Sequence, residues 1–588
     1  MSLSEEAGTR APSAPARTAR TVAEELIGRT LAALPGGPVD RPSWTVGGAG
    51  PVGIDAGDER AAQAACGVMH VHGRATGAPA PLAAEYVSTV TGVLAAQGVT
   101  ASLLARAQGR PPLRTGTSLA QGALLTVTQY LAAATAPDDD PPPPGSPTGL
   151  ATLVTADGAR VEIETLDPTA WAGFWTRLGV PPRTAGRGWL PFQSRFGTAV
   201  CPLPPELPAA ILAHPLEAVR HAGATHGVSV VAVGETPTPP PGLAPWTLEP
   251  AHAGHRPFAP TPATVPLGDV LPLAGVRVVE SARRVQGPMA GHVLRMLGAD
   301  VVRVEPPGGD PQRALPPVAG GCSVRFSALN HGKTVVEADL TTRQGRDTVG
   351  ELASRADVFL HNWAPGKDRA LGLDADALHA LNPRLVYASA SGFGTALGPV
   401  PPIGTDYLAQ VHGGLAAALR PAGEPPAPSL MTVTDVLGGL VLAQAVLAGL
   451  LARQRTHRGC RAESSLLSAA ALVPRPDRRV TLSPLDHPLP TADGLLYLGA
   501  EARSRPGEVA RTIGAPDAAT VGERLRSRTT DAWLAELRAA GLPSVAVRTD
   551  LAALAADPAF ARAVLPPDEH LPYARPASPW TFTEEPSA

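Results

Sequence analysis

MTVTDVLGGLVLAQAVLAGLLAR, residues 431–453, is the stretch that decides the fold. It reads as a short extended lead-in, a single carboxylate at Asp435, and a long helix with no further ionisable side chain before Arg453. A helix that is apolar nearly all round is buried on most faces rather than laid on a surface. Asp435 then stands at the mouth of the core, at a helix N-terminus, where the dipole and free N–H groups favour an ionised carboxylate. Taken alone, the position reads as an N-cap before it reads as a site. The apolar run Val436–Ala452, with Gln444 and three glycines inside it, is short for a membrane span and suits a buried helix.

Working outward, the same stretch turns out to be one half of an internal repeat. Shifting the chain by 347 positions aligns residues 58–106 with 405–453 without a gap, and 16 of the 49 positions are identical. Gln63 falls on Gln410, Gly67 on Gly414, Gly92 on Gly439, and Leu103–Arg106 on Leu450–Arg453. Asp435 falls on Ser88, so the first copy carries the helix without the carboxylate. A weaker echo follows. Thr155-Ala-Asp-Gly158 matches Thr491-Ala-Asp-Gly494, and the helix–glycine–strand pattern of 218–233 matches 535–547.

Between the copies the pattern alternates strand and helix. Strands read at Val276–Val279, Val301–Val304, Val358–Leu360 and Leu385–Ala388, with helices at Pro288–Leu297, 342–355 and 375–381. Such alternation argues for a parallel α/β sheet with ligands at the strands' carboxyl ends. Proline-rich stretches at Ala136–Pro147 and 236–266 read as linkers.

The expected organisation is therefore an N-terminal arm over 1–55 and a truncated copy over 56–260. That copy holds a helical segment 56–135, a small domain 150–235 and the 236–266 linker. A near-complete copy over 267–588 follows, with a large domain 267–475, a small domain 480–550 and a C-terminal return 551–588. The fold class is α/β: a parallel, Rossmann-like large domain with small α+β domains and internal duplication. Apart from a short helix at Val22–Leu34, residues 1–55 are unpatterned.

The flanks of the 431–453 helix carry a resemblance. LPLAGVRVVESARRVQGPMAGHVLRMLGADVVRVEPPGGDP from Leu271, then LNHGKTVVEADL, ADVFLHNWAPG, LNPRLVYASASGFG, GTDYLAQVHGG and RTHRGCRAESSLLSA follow in order, the last ending at Ala469. These blocks resemble the class III CoA-transferases, the group of formyl-CoA transferase and the carnitine CoA-transferases. The resemblance implies CoA transfer between an acyl-CoA and a carboxylic acid, with Asp435 as catalytic nucleophile. It also implies coenzyme A as part of the substrate, with no bound cofactor and no metal required. Val285, Gln286 and Gly287 match the family's CoA-pocket loop, and Asn362 a position that touches CoA. The loop also reads as a plain Gly-Pro helix start. Arg303 could reach a phosphate or pair with a neighbouring carboxylate.

Departures from the family pattern are plain. Ala364 and Ala370 stand where the family carries arginines, with Arg369 displaced by one, and His331 replaces the usual Arg of LNRGK. The racemase branch of the superfamily places a histidine base where this chain has Thr405, and His412 lies seven residues on. Alpha-carbon chemistry on an acyl-CoA and a non-catalytic CoA-binding relic remain as alternatives. By analogy with the family's interlocked homodimers, the two copies are expected to pack as an intramolecular pseudo-dimer. Homodimerisation stays open.

Composition excludes other classes. A net charge of −3, from 49 basic and 52 acidic residues, gives no reason to expect nucleic acid or anionic membrane as partner. Cys66, Cys201, Cys322 and Cys460 are scattered without a CxxC, which suits a reducing cytoplasm and no zinc site. The opening stretch MSLSEEAGTRAPSAPARTAR lacks the apolar core of a signal peptide.

Overall fold

Four helices organise the centre of the molecule: α1 (Ala14–Ala32), α2 (Tyr86–Ala107), α3 (Gln286–Met296) and α4 (Val433–Thr456). The computed structural model describes residues 14–36, 39–137, 149–251 and 271–585. By length and composition α2 and α4 are apolar enough to cross a membrane, yet they lie buried against each other. Side-chain amides tie them together. Gln97 donates to the Leu440 carbonyl at 2.7 Å, and Gln444 donates to the hydroxyls of Thr30 and Thr100 at 3.0 Å. The Tyr86 hydroxyl donates to the Val433 carbonyl at 3.2 Å. Gln97 and Gln444 are themselves a repeat-matched pair.

The aligned glycines mark where helices cross. A Cβ on Gly439 would fall 2.5 Å from the Gln286 carbonyl oxygen, so α3 meets α4 backbone to backbone. A Cβ on Gly92 would fall 2.6 Å from the Ala19 carbonyl oxygen, so α1 meets α2 the same way. Helix α1 thus stands against α2 as α3 stands against α4. This corrects the expected N-terminal arm. Ala19, Val22, Ala23, Leu26 and Ile27 recur at helical spacing and are buried, which makes α1 a core helix beginning well before Val22.

The large sheet has seven strands in the order Thr334–Glu337, Asp300–Glu305, Arg277–Ser281, Val358–His361, Val386–Ser391, Cys460–Ser465 and Trp246–Pro250. Every pairing is parallel except the last. Strand order reverses between Arg277–Ser281 and Val358–His361, which opens a crevice at their carboxyl ends. The antiparallel edge strand corrects the reading of 236–266 as linker throughout: Trp246 is buried on the sheet, and residues 252–266 lie outside the described residues. Most of the Ala136–Pro147 linker also lies outside them.

The duplication runs past Arg106, where the sequence match stops. Strand Leu113–Ser118 and helix Leu119–Thr126 keep the register of the repeat with Cys460–Ser465 and Leu466–Ala471, and Ser118 and Ser465 each cap the helix that follows. Strand Leu113–Ser118 is flanked by Trp44–Gly47 in parallel and by Thr581–Glu584 antiparallel, so the chain's C-terminal return closes on the first copy.

Each copy also has a three-stranded antiparallel small sheet: Leu153–Val154, Arg160–Glu164 and Ser229–Ala232 in one, Leu489–Pro490, Leu495–Leu498 and Ser544–Ala546 in the other. They are exchanged. Tyr497 and Val545 of the second small domain pack on Ala61, Ala64 and Met69 of the first copy. The first small domain packs Val231 against Leu408 and Phe393 of the second.

The crossings generate a prediction. Gly439→Ala and Gly92→Ala should each destabilise by about 1–3 kcal/mol through overpacking. Gly186→Ala, with open space around it on an exposed helix face, should be neutral or gain up to about 1 kcal/mol. Thermal unfolding of the three variants checks this; equal behaviour of all three contradicts the backbone-contact reading.

Candidate active site

The site begins with Asp406, which opens the helix Asp406–His412. Its buried carboxylate accepts from Gln410 Nε2 at 2.5 Å, Thr434 Oγ1 at 2.9 Å and the Asp435 N–H at 2.6 Å. Gln410 Oε1 in turn accepts the Ser429 N–H at 2.8 Å. One carboxylate and one amide therefore hold the lead-in 429–435 and aim the first turn of α4. The same circuit exists at the repeat-matched positions of the first copy. Glu59 accepts from Gln63 Nε2 at 2.7 Å, the Val87 N–H at 2.9 Å and the Ser88 N–H at 2.6 Å, and Gln63 Oε1 accepts the Leu82 N–H at 2.9 Å. The two copies differ at what the circuit presents: Asp435 in one, Ser88 in the other.

Asp435 is the third residue of α4, whose N-cap is Thr432 and lacks a side-chain cap bond, so Asp435 is not an N-cap. It opens instead onto a cavity of about 980 Å3. The cavity runs along the carboxyl ends of the parallel strands, past Ser281, Glu305, Asn362 and Ser391, and crosses the point where strand order reverses. Sites at this position in open α/β sheets take extended nucleotide-bearing ligands.

The electrostatics overturn one expectation. Burial, with Asp406 beside it, pushes the Asp435 carboxyl well above the usual range, and the Arg284 cation only partly offsets this. Asp406 is itself raised by burial to about 6, against the hydrogen bonds it accepts. A helix N-terminus favours the carboxylate, but desolvation and a like charge favour the neutral acid more strongly here.

The truncated copy supplies a wall of the cavity. Glu164, Gln193, Arg195 and Phe196 line it. Glu164 and Arg195 form a 2.8 Å ion pair with both side chains 3% exposed, and the Arg195 guanidinium also lies 4.4 Å over the Tyr407 ring. Removing either partner would strand a buried charge, which costs about 3–5 kcal/mol.

The residues matched to CoA binding divide. Gln286 and Asn362 face the cavity; Val285 and Gly287 do not. Val285 is fully buried behind the loop, and a Cβ on Gly287 would fall 2.3 Å from the Ala282 Cβ, so these two shape the turn. Gln286 Nε2 is buried without a hydrogen-bond partner, a donor left over at the start of α3 beside Asp435. The Asn362 amide is spent locally: its Oδ1 accepts the Arg283 N–H at 3.0 Å and its Nδ2 donates to the Arg283 carbonyl at 2.9 Å.

Arg303 is not placed to meet a phosphate. It is 1% exposed, and its guanidinium is shared among Glu280 at 2.5 Å, Glu305 at 3.1 Å and Asp310 at 2.7 Å. Two further carboxylates within reach made the pairing alternative win. Ala364 lines the rim, and His331 sits 3.0 Å from an Arg295 nitrogen. Among the described residues no histidine lines the cavity; His412 packs on Phe393 outside it. The described residues also hold no cluster of three or more metal-ligating side chains.

Sequence reading missed Asp406, Arg284, Glu164 and Arg195. The repeat did carry a signal for the first: Glu59 and Asp406 are aligned acids, each four residues before an aligned Gln. Nothing in the sequence links Glu164 to Asp435, because only the exchange of small domains brings both to one cavity.

Comparison with known proteins identifies relatives by sequence. A succinate–glutarate CoA-transferase of Agrobacterium fabrum is 35% identical over 255 residues, 39% of this chain and 62% of that protein. A probable fatty acyl-CoA transferase of Mycobacterium tuberculosis is 33% identical over 275 residues, 42% of this chain and 70% of that one. A formyl-CoA:oxalate CoA-transferase of Streptomyces avermitilis is 33% identical over 226 residues, 36% of this chain and 53% of its own length. The chain thus spans between about half and 70% of these relatives. Among solved structures, a CAIB/BAIF family protein from Brucella suis aligns with 29% identity and a TM-score of 0.45, over 51% of this chain and 90% of that one. The sequence profile of CoA-transferase family III matches residues 45–236 and 273–519, both copies of the duplication. This chain belongs to CoA-transferase family III.

Proposed function

We propose that this protein transfers coenzyme A between an acyl-CoA thioester and a carboxylic acid, through covalent intermediates on Asp435. The observation that carries the reading is the position of Asp435. It is a carboxylate held by its own backbone N–H to Asp406, at the head of a buried helix, facing a cavity at the sheet's switch point. The relatives' names are those of CoA-transferases and supply the reaction class.

A carboxylate oxygen of Asp435 attacks the thioester carbonyl and the C–S bond breaks, giving a mixed anhydride and CoA thiolate. The thiolate attacks the Asp435 carbonyl carbon, the donor acid leaves as carboxylate, and an aspartyl-CoA thioester remains. The acceptor carboxylate attacks that thioester, again releasing thiolate. Thiolate attack on the acceptor's own carbonyl then forms the new acyl-CoA and returns Asp435 as carboxylate. No net proton is taken up or released. Splitting one exchange into four acyl transfers is the gain from a covalent nucleophile. The unpartnered Gln286 Nε2 is the donor best placed to stabilise an oxyanion along the way.

Hydroxylamine trapping after incubation with acyl-CoA should label a single peptide containing Asp435. Asp435→Ala and Asp435→Asn should lose transfer by at least about a thousandfold, the scale seen when a covalent nucleophile is removed. Label on another peptide, or full activity in Asp435→Ala, sinks the assignment.

The pH dependence follows from the raised carboxyl. Only the ionised form attacks, so the rate should climb with pH through an acidic limb set by Asp435. Asp406→Asn removes the like charge that helps raise this carboxyl, so the limb should move to lower pH. Its new amide faces Gln410, so folding should be checked by circular dichroism alongside. A limb that stays put or moves up contradicts the coupling.

A further inference from the structure

Among the described residues, Arg284 is the one interior cation of the cavity that the Asp435 chemistry leaves without a role. It stands between the first strand of the large sheet and α3, in the left-handed backbone region at φ 63°. An arginine adopts that strained conformation only where its surroundings over-determine it. Here they do. The Asn362 side chain grips both the N–H and the carbonyl of Arg283, and the following Gly287 has no room for a Cβ against Ala282. Strand order reverses between the strands Arg277–Ser281 and Val358–His361, which end just before residues 283 and 362, so this clamp sits at the switch point of the sheet.

The clamp turns neighbouring arginines in opposite senses. Arg283 is exposed at the rim, as is Lys367, whereas Arg284 is drawn in and its guanidinium lies 5.9 Å from the ring of Phe196. Arg195 also lines the cavity but is neutralised by Glu164. Among the described residues Arg284 makes no hydrogen bond or ion pair, although its charge acts on Asp435. Its own pKa is lowered, chiefly by burial.

We propose that Arg284 binds the carboxylate of the acceptor acid and sets it for attack on the aspartyl-CoA thioester at Asp435. The inference rests on the CoA-transfer reading and deepens it. An incoming carboxylate must give up water on entering the cavity and needs a cation to receive it, and Arg195, the other arginine drawn into the lining, is already paired with Glu164. The attacking form of Asp435 is the carboxylate, and the Arg284 charge favours that form. Once Asp435 carries CoA as a neutral thioester, no carboxylate remains there and the guanidinium is free to take one at the stage when the acceptor is needed. Planar, two-pronged donation is what a guanidinium offers a carboxylate and an ammonium does not. Asn362 acts one step back, as a positioning residue.

The test uses the full chain with an acyl-CoA donor that it accepts, and compares two acceptors for the same acyl-enzyme: a carboxylate such as glutarate, and neutral hydroxylamine. The ratio of the carboxylate kcat/KM to the second-order rate constant for hydroxylamine trapping of Asp435 should fall at least tenfold in Arg284→Gln, and Arg284→Lys should recover only part of it. Asn362→Ala should lower the same ratio less, with the KM for the carboxylate rising more than the KM for acyl-CoA. A general loss of folding or donor binding would lower both arms and leave the ratio unchanged. An unchanged ratio in Arg284→Gln, or in Arg284→Lys should the glutamine variant fail to fold, overturns the inference. A wild-type protein that forms no trappable adduct with any donor overturns the CoA-transfer reading instead, and this inference with it.

Discussion

The hydrogen bond from the Asp435 N–H to the buried Asp406 carboxylate, 2.6 Å long, is the contact on which the site depends. It ties the first turn of a helix to the start of another helix and so fixes where the Asp435 carboxyl can point. In a buried setting such a charge-assisted bond is stronger than in water and correspondingly costly to break. The first copy has the same bond between the Ser88 N–H and Glu59, also 2.6 Å. Its persistence where no carboxylate follows identifies the bond as a framework element of the fold, on which Asp435 is mounted.

Around that bond the molecule is built by close approach of small residues. Helix α4 buries Leu437, Leu440, Val441, Leu447 and Leu450, and α2 buries Val90, Val93, Leu94 and Val99. Neither face could be left in water, because each fully buried Leu or Val contributes roughly 1.5–3 kcal/mol. Glycines 92 and 439 let a third and a fourth helix reach this pair. The same interleaving carries the first small domain to the mouth of the cavity and the second small domain to the opposite helical segment. A chain with one complete and one shortened copy thereby encloses its cavity with residues drawn from both.

Inside the cavity, charge is managed unevenly. Glu164 cancels Arg195, and Arg303 is consumed by Glu280, Glu305 and Asp310. What is left in the interior is Asp435, held towards its neutral form, and Arg284, held in place by a strained backbone and an asparagine clamp. Such leftovers at a switch point are where chemistry is expected, since a group satisfied by its own protein has nothing to offer a ligand.

Much of this was legible in the sequence, and the rest was not, for definite reasons. The strands at 277–281, 300–305, 358–361 and 386–391 and the helices between them follow from short β-branched runs alternating with helical periodicity, which are local signals. The buried α4 follows from the absence of charge between Asp435 and Arg453, and the duplication from the fixed spacing of Gln63/Gln410 and Gly92/Gly439. Three features belonged to tertiary structure alone. The role of α1 as a core helix depends on its meeting Gly92, a partner distant in sequence. The fate of Arg303 depends on Glu280, brought beside it by the neighbouring strand, and on the loop that folds Asp310 back over Arg303 and Glu305. The raised carboxyl of Asp435 depends on burial and on Asp406, which opens a different helix, whereas the sequence showed only the helix N-terminus that acts in the other direction. Periodicity and spacing are properties of a segment; desolvation and charge pairing are properties of what surrounds it, and only folding supplies those surroundings.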